Sequence, residues 1–329
     1  MRLQRINRGI IVALGILLTG SISCKKSEDA DIDYRQEMRS FIQHISVYAR
    51  GYTPGFIVVP QNGQELITQN GESSGPLATT YLQTISGQAR EDLFYGYYGD
   101  GLLTPSNELH YLQGYLDRIK TEGKSVLVTD YCSSHPDMLD SYQKNTAKGY
   151  ISFAADQRNL DNIPEYPSPV YNENSDQVLS LDQAKNFLLL LNPEKYETKN
   201  HFLDTLKKTN YDMLIIDLFF DADVSLSKDE VISLKEKSGG GKRLVLCYMS
   251  IGEAENYRYY WTPGWEFANP VWLEKPNPDW PGNFKVRYWD PGWQAIIYGN
   301  DNSYIKRILD AGFDGVYLDI VDAFEYFEE

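Results

Sequence analysis

The chain has 329 residues, enough for one large α/β barrel or for two smaller domains. It carries 46 Asp and Glu against 31 Lys and Arg, and the formal net charge of −15 excludes nucleic acid as an expected partner because a phosphate backbone would be repelled. The composition includes 25 tyrosines but only 4 histidines, which does not favour a histidine-rich metal site. We therefore expect neither a metal nor a cofactor.

The N-terminus has the pattern of a bacterial lipoprotein signal. Arginines near the start precede the apolar run GIIVALGILLTG, which is shorter than the ~20 residues that span a bilayer, and small residues then precede Cys24. This predicts a signal peptide over residues 1–24 with lipidation at Cys24, followed by an acidic tether over 25–35. An ordinary secretory signal is the alternative. The expected location is extracytoplasmic, with a lipid anchor in the outer membrane.

The first half of the remaining chain alternates helices and strands. Apolar residues at helical spacing, beginning with Met38, Phe41 and Ile42, predict the first helix. The predicted helices cover residues 36–50, 108–123 and 138–149, and the predicted strands cover residues 56–63, 86–96, 125–132 and 150–158. Residues 159–184 then lose this periodicity and include three prolines, so we expect a connector there.

The second half resumes the alternation. The predicted strands cover residues 187–191, 211–221 and 283–290 and a terminal strand after Gly312. Residues 243–261 are predicted as a strand that continues into a polar, aromatic loop, and the predicted helices cover residues 199–210, 228–241 and 302–311. Strands that alternate with helices indicate parallel βαβ units, so the prediction is a single α/β domain, a monomeric (β/α)8 TIM barrel over residues 36–329. Nine strand candidates exceed the eight required, and we expect YISFAAD or FLLLL to be an extra or a closing element.

Polar side chains recur where the predicted strands end. In a (β/α)8 barrel these ends meet on one face, where active sites lie. Each residue alone has a structural explanation, but the recurrence over seven strands favours a common site. The residues in this pattern are Gln61, Asn62, Glu91, Asp130, Tyr131, Asp217, Tyr248, Ser250, Glu253, Glu255, Arg287, Asp290, Asp319 and Asp322.

Several carboxylates with tyrosine and tryptophan, and no Ser-His-Asp set, are suited to glycoside hydrolysis. That reaction needs one carboxylic acid to protonate the leaving oxygen and a second carboxylate that acts as nucleophile or base. Placing the two together raises the pKa of one of them, which keeps it protonated near neutral pH. The expected partner is therefore a polysaccharide.

Three long motifs then resemble a known family. RLVLCYMSIGEAENYRYYW, KVRYWDPGWQ and GFDGVYLDIVDAFEYF are similar to the glycoside hydrolase family 114 domain, the endo-α-1,4-polygalactosaminidase-like family, in its bacterial and archaeal branch. FIVVPQNGQEL, ISGQAREDLFYG, VLVTDY and YISFAADQR resemble later segments of the same domain. The resemblance implies a secreted hydrolase of an α-linked, galactosamine-containing polysaccharide. Fungal members read more like EPDN where this chain reads YLDI, which leaves the sugar open.

The resemblance also implies roles for individual residues. It places the catalytic carboxylates at Asp319, expected as nucleophile of a retaining mechanism, and at Glu91, expected as acid/base. The residues expected to bind substrate or support the site are Asn62, Asp130, Tyr131, Asp217, Tyr248, Ser250, Glu253, Glu255, Arg258, Arg287, Asp290 and Asp322. Ion pairing at the surface is the alternative for Glu253, Arg258 and Arg287.

The order of the motifs differs from that of the family. Residues 36–158 resemble its later strands and residues 185–329 its earlier ones, which predicts a circularly permuted barrel. The helix at 36–50 would then take the place of a helix expected after Glu329. Glu329 should therefore lie near the start of the helix at 36–50. Circular permutation is tolerated where the original termini are close at the surface. A fragment of a tandem protein is the alternative for the order.

Two other functions remain open at this point. One is a non-catalytic glycan-binding lipoprotein on the same scaffold, because a fold does not fix a function. The other is a phosphoesterase with Mg²⁺ or Ca²⁺ bound by carboxylates.

Overall fold

The computed structural model describes residues 32–222 and 224–328. The predictions for the signal peptide, for Cys24 and for most of the acidic tether lie outside the described residues. The strands are β1 Ile57–Pro60, β2 Gly87–Glu91, β3 Ser125–Tyr131, β4 Ile151–Ala155, β5 Leu188–Leu190, β6 Met213–Asp217, β7 Phe219–Asp221, β8 Val224–Ser225, β9 Leu244–Ser250, β10 Glu253–Glu255, β11 Leu273–Pro276, β12 Asn283–Val286 and β13 Gly315–Asp319. The helices are α1 Tyr34–Tyr52, α2 Thr79–Thr84, α3 Ser106–Thr121, α4 His135–Lys148, α5 Lys199–Lys207, α6 Lys228–Leu234, α7 Pro291–Ile297, α8 Tyr304–Asp310 and α9 Phe324–Glu328.

Two parallel sheets form the centre of the fold. One has the strand order β1-β13-β9-β6-β5 and the other has the order β2-β3-β4. A parallel bridge between Gln61 and Ala89, together with a hydrogen bond from Asn62 N to Ala89 O of 2.9 Å, connects β1 to β2. The eight strands therefore follow one another as β5, β6, β9, β13, β1, β2, β3 and β4. This is the mixed α/β fold with parallel strands that the sequence predicted.

The ninth strand candidate lies elsewhere than expected. YISFAAD and FLLLL supply β4 and β5 at the outer edges of the parallel sheets, so neither is an extra strand, and closure between them stays a prediction. The additional strand is β12, which pairs antiparallel with β10 and β11 in a separate three-stranded sheet. The physical reason is the segment before it, since residues 262–282 form no helix that could return the chain to a parallel position.

Helix α1 packs against the C-terminal end of the described chain. Its apolar stripe is buried as predicted, and its N-terminus is capped by Asp33, which accepts a hydrogen bond from Gln36 N at 2.9 Å. Arg35 forms an ion pair of 2.9 Å with Glu328 of α9. Glu329 lies outside the described residues, but its neighbour Glu328 is thus beside the start of α1. Helix α1 therefore lies next to the chain that leaves β13 and leads directly into β1.

The connector is attached to the parallel sheet by a buried ion pair. Lys237 Nζ lies 3.0 Å from Asp212 Oδ1, and both side chains are completely buried. Lys237 also donates to Asn174 O at 3.0 Å, and Asn174 Nδ2 donates to Asp212 Oδ2 at 3.1 Å. Asn174 belongs to the connector, whereas Asp212 precedes β6. The ion pair therefore holds the irregular segment against the N-terminal end of a central strand.

Two cysteines are buried beside the central strands. Cys132 and Cys247 are free, as is usual for cysteines that act as small apolar side chains. Burial raises the pKa of both thiols, which keeps them protonated. Within the described residues, no helix combines the length and apolar character needed to cross a membrane.

Candidate active site

Three neighbouring strands present polar side chains at their C-terminal ends. Gln61 directly follows β1, Glu91 ends β2, and Asp319 ends β13. The residue after each has a left-handed backbone although none is glycine: Asn62 has φ 57°, Asp92 has φ 59° and Ile320 has φ 57°. Such a conformation costs about 1–3 kcal/mol and is most unusual for a β-branched residue. Strain of this kind is concentrated at functional sites, so these strand ends form the candidate site.

The carboxylate of Glu91 is held by two side chains from the neighbouring strands. Gln61 Nε2 donates to Glu91 Oε2 at 2.5 Å, and the hydroxyl of Tyr131 at the end of β3 donates to Oε1. Asn62 is also close, since its Oδ1 accepts a hydrogen bond from the backbone nitrogen of Glu91 at 3.4 Å. These contacts fix the direction in which Glu91 points.

The carboxylate of Asp319 is fixed in the same way. The hydroxyl of Tyr248 on β9 donates to Asp319 Oδ2 at 2.6 Å, and the backbone nitrogen of Ile320 donates to Oδ1 at 2.8 Å. Strand β13 lies between β9 and β1, and β1 lies between β13 and β2. Asp319 and Glu91 are therefore separated by about two strand spacings, or ~10 Å between their backbones, and their side chains share one face.

The electrostatics of the two carboxyl groups differ. Burial, followed by the negative charge of Asp319, raises the pKa of Glu91 to about 8. Burial raises the pKa of Asp319 less, to about 6, because the hydrogen bond from Tyr248 favours its charged form. At pH 7 Glu91 is thus mostly protonated while Asp319 is mostly ionised. The pair can donate a proton at one carboxyl group and supply a negative charge at the other.

A buried cluster lies beside Tyr248. Arg258 binds Asp217 with a distance of 2.7 Å and Glu255 with a distance of 2.6 Å, and Tyr257 donates to Glu255 at 2.5 Å. The charge of Glu255 acts on the pKa of Tyr248, which places the cluster against the residue that holds Asp319. Three of the sequence-predicted residues are therefore brought to the site as one ion-paired unit.

Asp130 is not brought to the site, in contrast to its predicted role. Its buried carboxylate accepts hydrogen bonds from Phe94 N at 2.8 Å, from Ser141 Oγ at 2.6 Å and from Asn145 Nδ2 at 3.1 Å. Consecutive strand residues point to opposite faces, so Tyr131 faces Glu91 whereas Asp130 faces α4. Asp130 is thus a structural residue that ties the loop after β2 to that helix.

Two other predicted residues also have structural partners. Asp290 is the N-cap of α7, where it accepts from Gly292 N at 2.7 Å, so its predicted substrate contact is replaced by a capping bond. Arg287 lies 2.6 Å from Glu274 and follows the antiparallel strand β12 rather than a parallel strand. Neither residue therefore stands at the end of a central strand.

Glu253 and Ser250 stabilise the small antiparallel sheet. Glu253 is fully buried, with Lys285 Nζ 2.7 Å away and a hydrogen bond from Asn283 Nδ2 of 3.0 Å. Ser250 Oγ donates to the backbone oxygen of Glu253 at 3.1 Å. The negative charge of Glu253 nevertheless acts on the pKa of Asp319, so this sheet adjoins the site.

An acidic group that the sequence did not single out extends the site. Asp322, which was predicted, follows Asp319 in a short 3-10 helix. Burial, and after it the negative charges of Asp322 and Glu65, raise the pKa of Glu325 to about 7. Glu65 Oε2 is buried and accepts no hydrogen bond from the described residues. Arg90 supplies a positive charge to the group. Sequence spacing offered no signal, because Glu65 follows β1 whereas Glu325 belongs to α9.

The turn after β9 packs closely against the segment that follows Asp319, with Gly252 at the contact. A Cβ at this position would lie 2.2 Å from the backbone oxygen of Ile320 and 2.6 Å from Cβ of Ala323. Because backbone must move, we expect Gly252→Ala to lower the free energy of unfolding by about 1–3 kcal/mol. Denaturant unfolding measures this loss. Gly51→Ala is the control, since its Cβ meets nothing within 4 Å and alanine favours the helix, and an equal loss there would contradict the packing argument.

Paired carboxyl groups of different proton affinity, at strand ends of a parallel α/β fold, are suited to glycoside hydrolysis. Comparison with protein families agrees with this class: residues 192–329 match the model of glycoside-hydrolase family GH114. This segment, which is somewhat less than half of the chain, is similar to family GH114. The matched segment contains Asp319, whereas Glu91 lies outside it.

Similar proteins occur in distant microorganisms. The chain is 38% identical over 184 residues to an uncharacterized protein of Methanocaldococcus jannaschii, and the aligned region covers 55% of this chain and 49% of that protein. It is 38% identical over 123 residues to a protein of Deinococcus radiodurans, covering 37% of each. A protein of Thermotoga maritima is 34% identical over 135 residues, covering 41% of this chain and 40% of that protein. The chain thus spans half or less of the length of these relatives.

Proposed function

We propose that the protein hydrolyses an α-linked polysaccharide, with Glu91 as general acid/base and Asp319 as nucleophile. The observation that carries this proposal is the pair of partly buried carboxyl groups whose pKa values are about 8 and about 6. Two carboxyl groups with separated proton affinities divide the roles of acid and base between them. The match of residues 192–329 to a glycoside hydrolase family supports the reaction class.

The reaction proceeds in two displacements. Glu91 gives its proton to the glycosidic oxygen while Asp319 forms a bond to the anomeric carbon, and the leaving sugar departs as an alcohol. A water molecule then loses a proton to the Glu91 carboxylate and attacks the same carbon, which releases Asp319. A retaining mechanism needs carboxyl groups ~5–5.5 Å apart, and an inverting one needs ~6.5–9.5 Å. Side chains that turn toward each other across two strand spacings can reach the shorter separation.

The substrate is a glycan that carries amino groups, with galactosamine as the sugar that the family resemblance favours. The acidic group of Glu65, Asp322 and Glu325 supports this choice. Arg90, Lys285 and Arg35 supply positive charge to Asp322 and Glu325, but the buried Oε2 atom of Glu65 accepts no hydrogen bond from the described residues. An ammonium group can donate to several carboxylates at once. The group adjoins Asp319, so it would hold a sugar next to the cleaved bond.

The eight parallel strands form one (β/α)8 barrel with a permuted order. The ring centroids of Phe153 on β4 and Phe187 beside β5 lie 5.8 Å apart, which supports closure between the two outer strands. No β4–β5 ladder occurs among the strand pairings of the described residues. Helix α1 stands between β13 and β1, where a barrel helix is required, and this supports the permuted order over residues 36–329. A monomer is sufficient for such a barrel.

The N-terminal segment directs the protein to the cell envelope. A signal peptide over residues 1–24 and lipidation at Cys24 would attach the barrel to the outer membrane through the tether at 25–35, where envelope polysaccharides are accessible. Labelling with a radioactive or alkyne-bearing fatty acid, with Cys24→Ser as the control, tests the anchor. Equal labelling of both proteins would contradict it.

The pH dependence of hydrolysis follows from the two pKa values. Asp319 must be ionised to attack, so kcat/KM should fall below about pH 6. Glu91 must be protonated to act as acid, so kcat/KM should fall above about pH 8. The expected profile is a bell with its maximum between these values, and the two limbs describe the pair as a coupled unit. A profile that rises continuously through pH 8 would contradict the assignment of Glu91.

The activity itself is tested by a panel of polysaccharides. The panel contains deacetylated galactosaminoglycan, its acetylated form and envelope glycans, and new reducing ends are measured for the wild-type protein. We expect release from the deacetylated, amine-bearing polymer and less from its acetylated form. Binding of a glycan without any release of reducing ends, unchanged in Asp319→Asn, would identify a glycan-binding protein instead.

A further inference from the structure

Arg158 follows β4 and connects three parts of the loop that comes after Glu91. Its guanidinium contacts Asp92 through two nitrogens, at 2.8 and 3.2 Å. The same group donates to the carboxylate of Asp100 at 2.6 Å and to the backbone oxygen of Gly96 at 2.8 Å. The side chain is four-fifths buried. Arg158 therefore fixes the backbone that leaves β2, including the strained residue next to Glu91.

The same guanidinium also lies on the aromatic ring that holds Glu91. Arg158 Cζ is 3.8 Å from the ring centroid of Tyr131, and the hydroxyl of Tyr131 donates to Glu91 Oε1. A guanidinium over an aromatic face at this distance is an attractive cation–π contact. It restricts the ring to one orientation and draws electron density from the phenol, which strengthens the hydroxyl as a donor. The chain of contacts thus runs from Arg158 through Tyr131 to Glu91.

We propose that Arg158 is a positioning residue that sets the proton affinity of Glu91 by fixing Tyr131 and by neutralising Asp92. This inference rests on the proposed function in one respect, since it treats Glu91 as the acid of the hydrolysis. Arg158 does not need to touch the substrate to act in this way. It couples the loop after β4 to the loop after β2, and both loops border the site.

The direction of the effect depends on every charge around Glu91. The negative charges of Asp319 on β13 and Asp92 on its own loop favour the protonated form, whereas the hydrogen bond from Tyr131 and the positive charge of Arg158 favour the carboxylate. Gln61 also donates to that carboxylate. Tyr317 on β13, a buried neutral phenol, also faces Glu91. Loss of Arg158 removes a cation and leaves Asp92 uncompensated, so Glu91 should hold its proton to higher pH.

Direct titration of the Glu91 carboxyl group by ¹³C NMR tests the proposal without a substrate. The Glu91 signal is assigned by its absence in Glu91→Gln. In Arg158→Gln we expect the titration midpoint to move upward by about one pH unit, which is typical of losing an opposite charge nearby. In Arg158→Lys, which keeps the charge but not the flat contact with the ring, a smaller upward movement is expected. The second variant preserves the ion pair and carries the test if the first does not fold.

Arg307→Gln is the matched control. Its guanidinium lies 3.9 Å from the ring centroid of Tyr259, a closely similar contact on an exposed helix position that involves no carboxylate of the pair. The Glu91 midpoint should not move in this variant. A wild-type midpoint in folded Arg158→Gln and Arg158→Lys, or an equal movement in Arg307→Gln, would overturn the proposal. If no glycan is hydrolysed, the proposed function fails, but the titration still decides the role of Arg158.

Discussion

Asp319→Asn is expected to abolish hydrolysis of the amine-bearing polysaccharide while the protein remains folded. Tyr248 donates to Asp319 Oδ2 at 2.6 Å in the wild-type protein, and asparagine has the same shape and an oxygen that can accept this bond. Asparagine cannot, however, form the bond to the anomeric carbon. Glu91→Gln removes the proton donor and should lower kcat by about 10²–10⁴-fold. The effect of Asp319→Asn should be at least as large. Initial rates of reducing-end release and a far-UV circular dichroism spectrum measure activity and folding together.

Asp290→Asn is the matched control for this pair. Asp290 caps α7, and asparagine is as good an N-cap as aspartate, so both activity and stability should be retained. Azide distinguishes the roles proposed for the two carboxyl groups. Addition of azide should restore turnover of activated glycosides in Asp319→Gly with inverted product, and in Glu91→Gly with retained product. Activity of Asp319→Asn close to that of the control would contradict the assignment of Asp319.

Lys237→Met is expected to cause the largest loss of stability of any change away from the site. Asp212 would remain completely buried without its cation, and breaking a buried pair in this way costs about 3–5 kcal/mol. Two donors to Asp212 would remain, namely Asn174 Nδ2 at 3.1 Å and Lys185 N at 2.8 Å, but neither is charged. Chemical denaturation of wild type and variant measures the difference in the free energy of unfolding.

Two further variants show whether charge is the cause. Lys185→Met breaks the ion pair between Lys185 and Asp176, whose side chains are 53% and 62% exposed, respectively. This change should alter the free energy of unfolding by at most about 0.5 kcal/mol. Adding Asp212→Asn to Lys237→Met should recover part of the loss, because the buried charge is then removed. A loss in Lys237→Met as small as that in Lys185→Met would show that the ion pair does not hold the connector.

The order of helices and strands could be predicted because local patterns determine it. The periodicity of α1 and the apolar run of β13 both depend on nearest neighbours in sequence, and both elements lie where they were expected. The strand at β12 was placed wrongly in the sheet because its pattern is equally suited to a parallel and an antiparallel neighbour. Only the absence of a returning helix in residues 262–282 distinguishes the two, and that segment has no clear periodicity.

The two paired carboxyl groups of the candidate site could be predicted because each belongs to the last residue of a parallel strand. Glu91 and Asp319 share a face because each ends a parallel strand, and parallel strand ends meet at one edge of the sheet. Asp130 was misassigned because the strand end alone does not show which of two adjacent residues faces inward. Arg158 and Glu65 were missed because their contacts join loops that are far apart in the chain.

The most direct test of the account is a ¹³C titration of both carboxyl groups in the wild-type protein. The Asp319 and Glu91 signals are assigned from their absence in the Asp319→Asn and Glu91→Gln variants. The account predicts that at pH 7 Glu91 is mostly protonated and Asp319 mostly ionised, with midpoints near 8 and 6. Two midpoints below about 5, close to those of ordinary carboxyl groups, would leave no acid to protonate the leaving oxygen and would contradict the account.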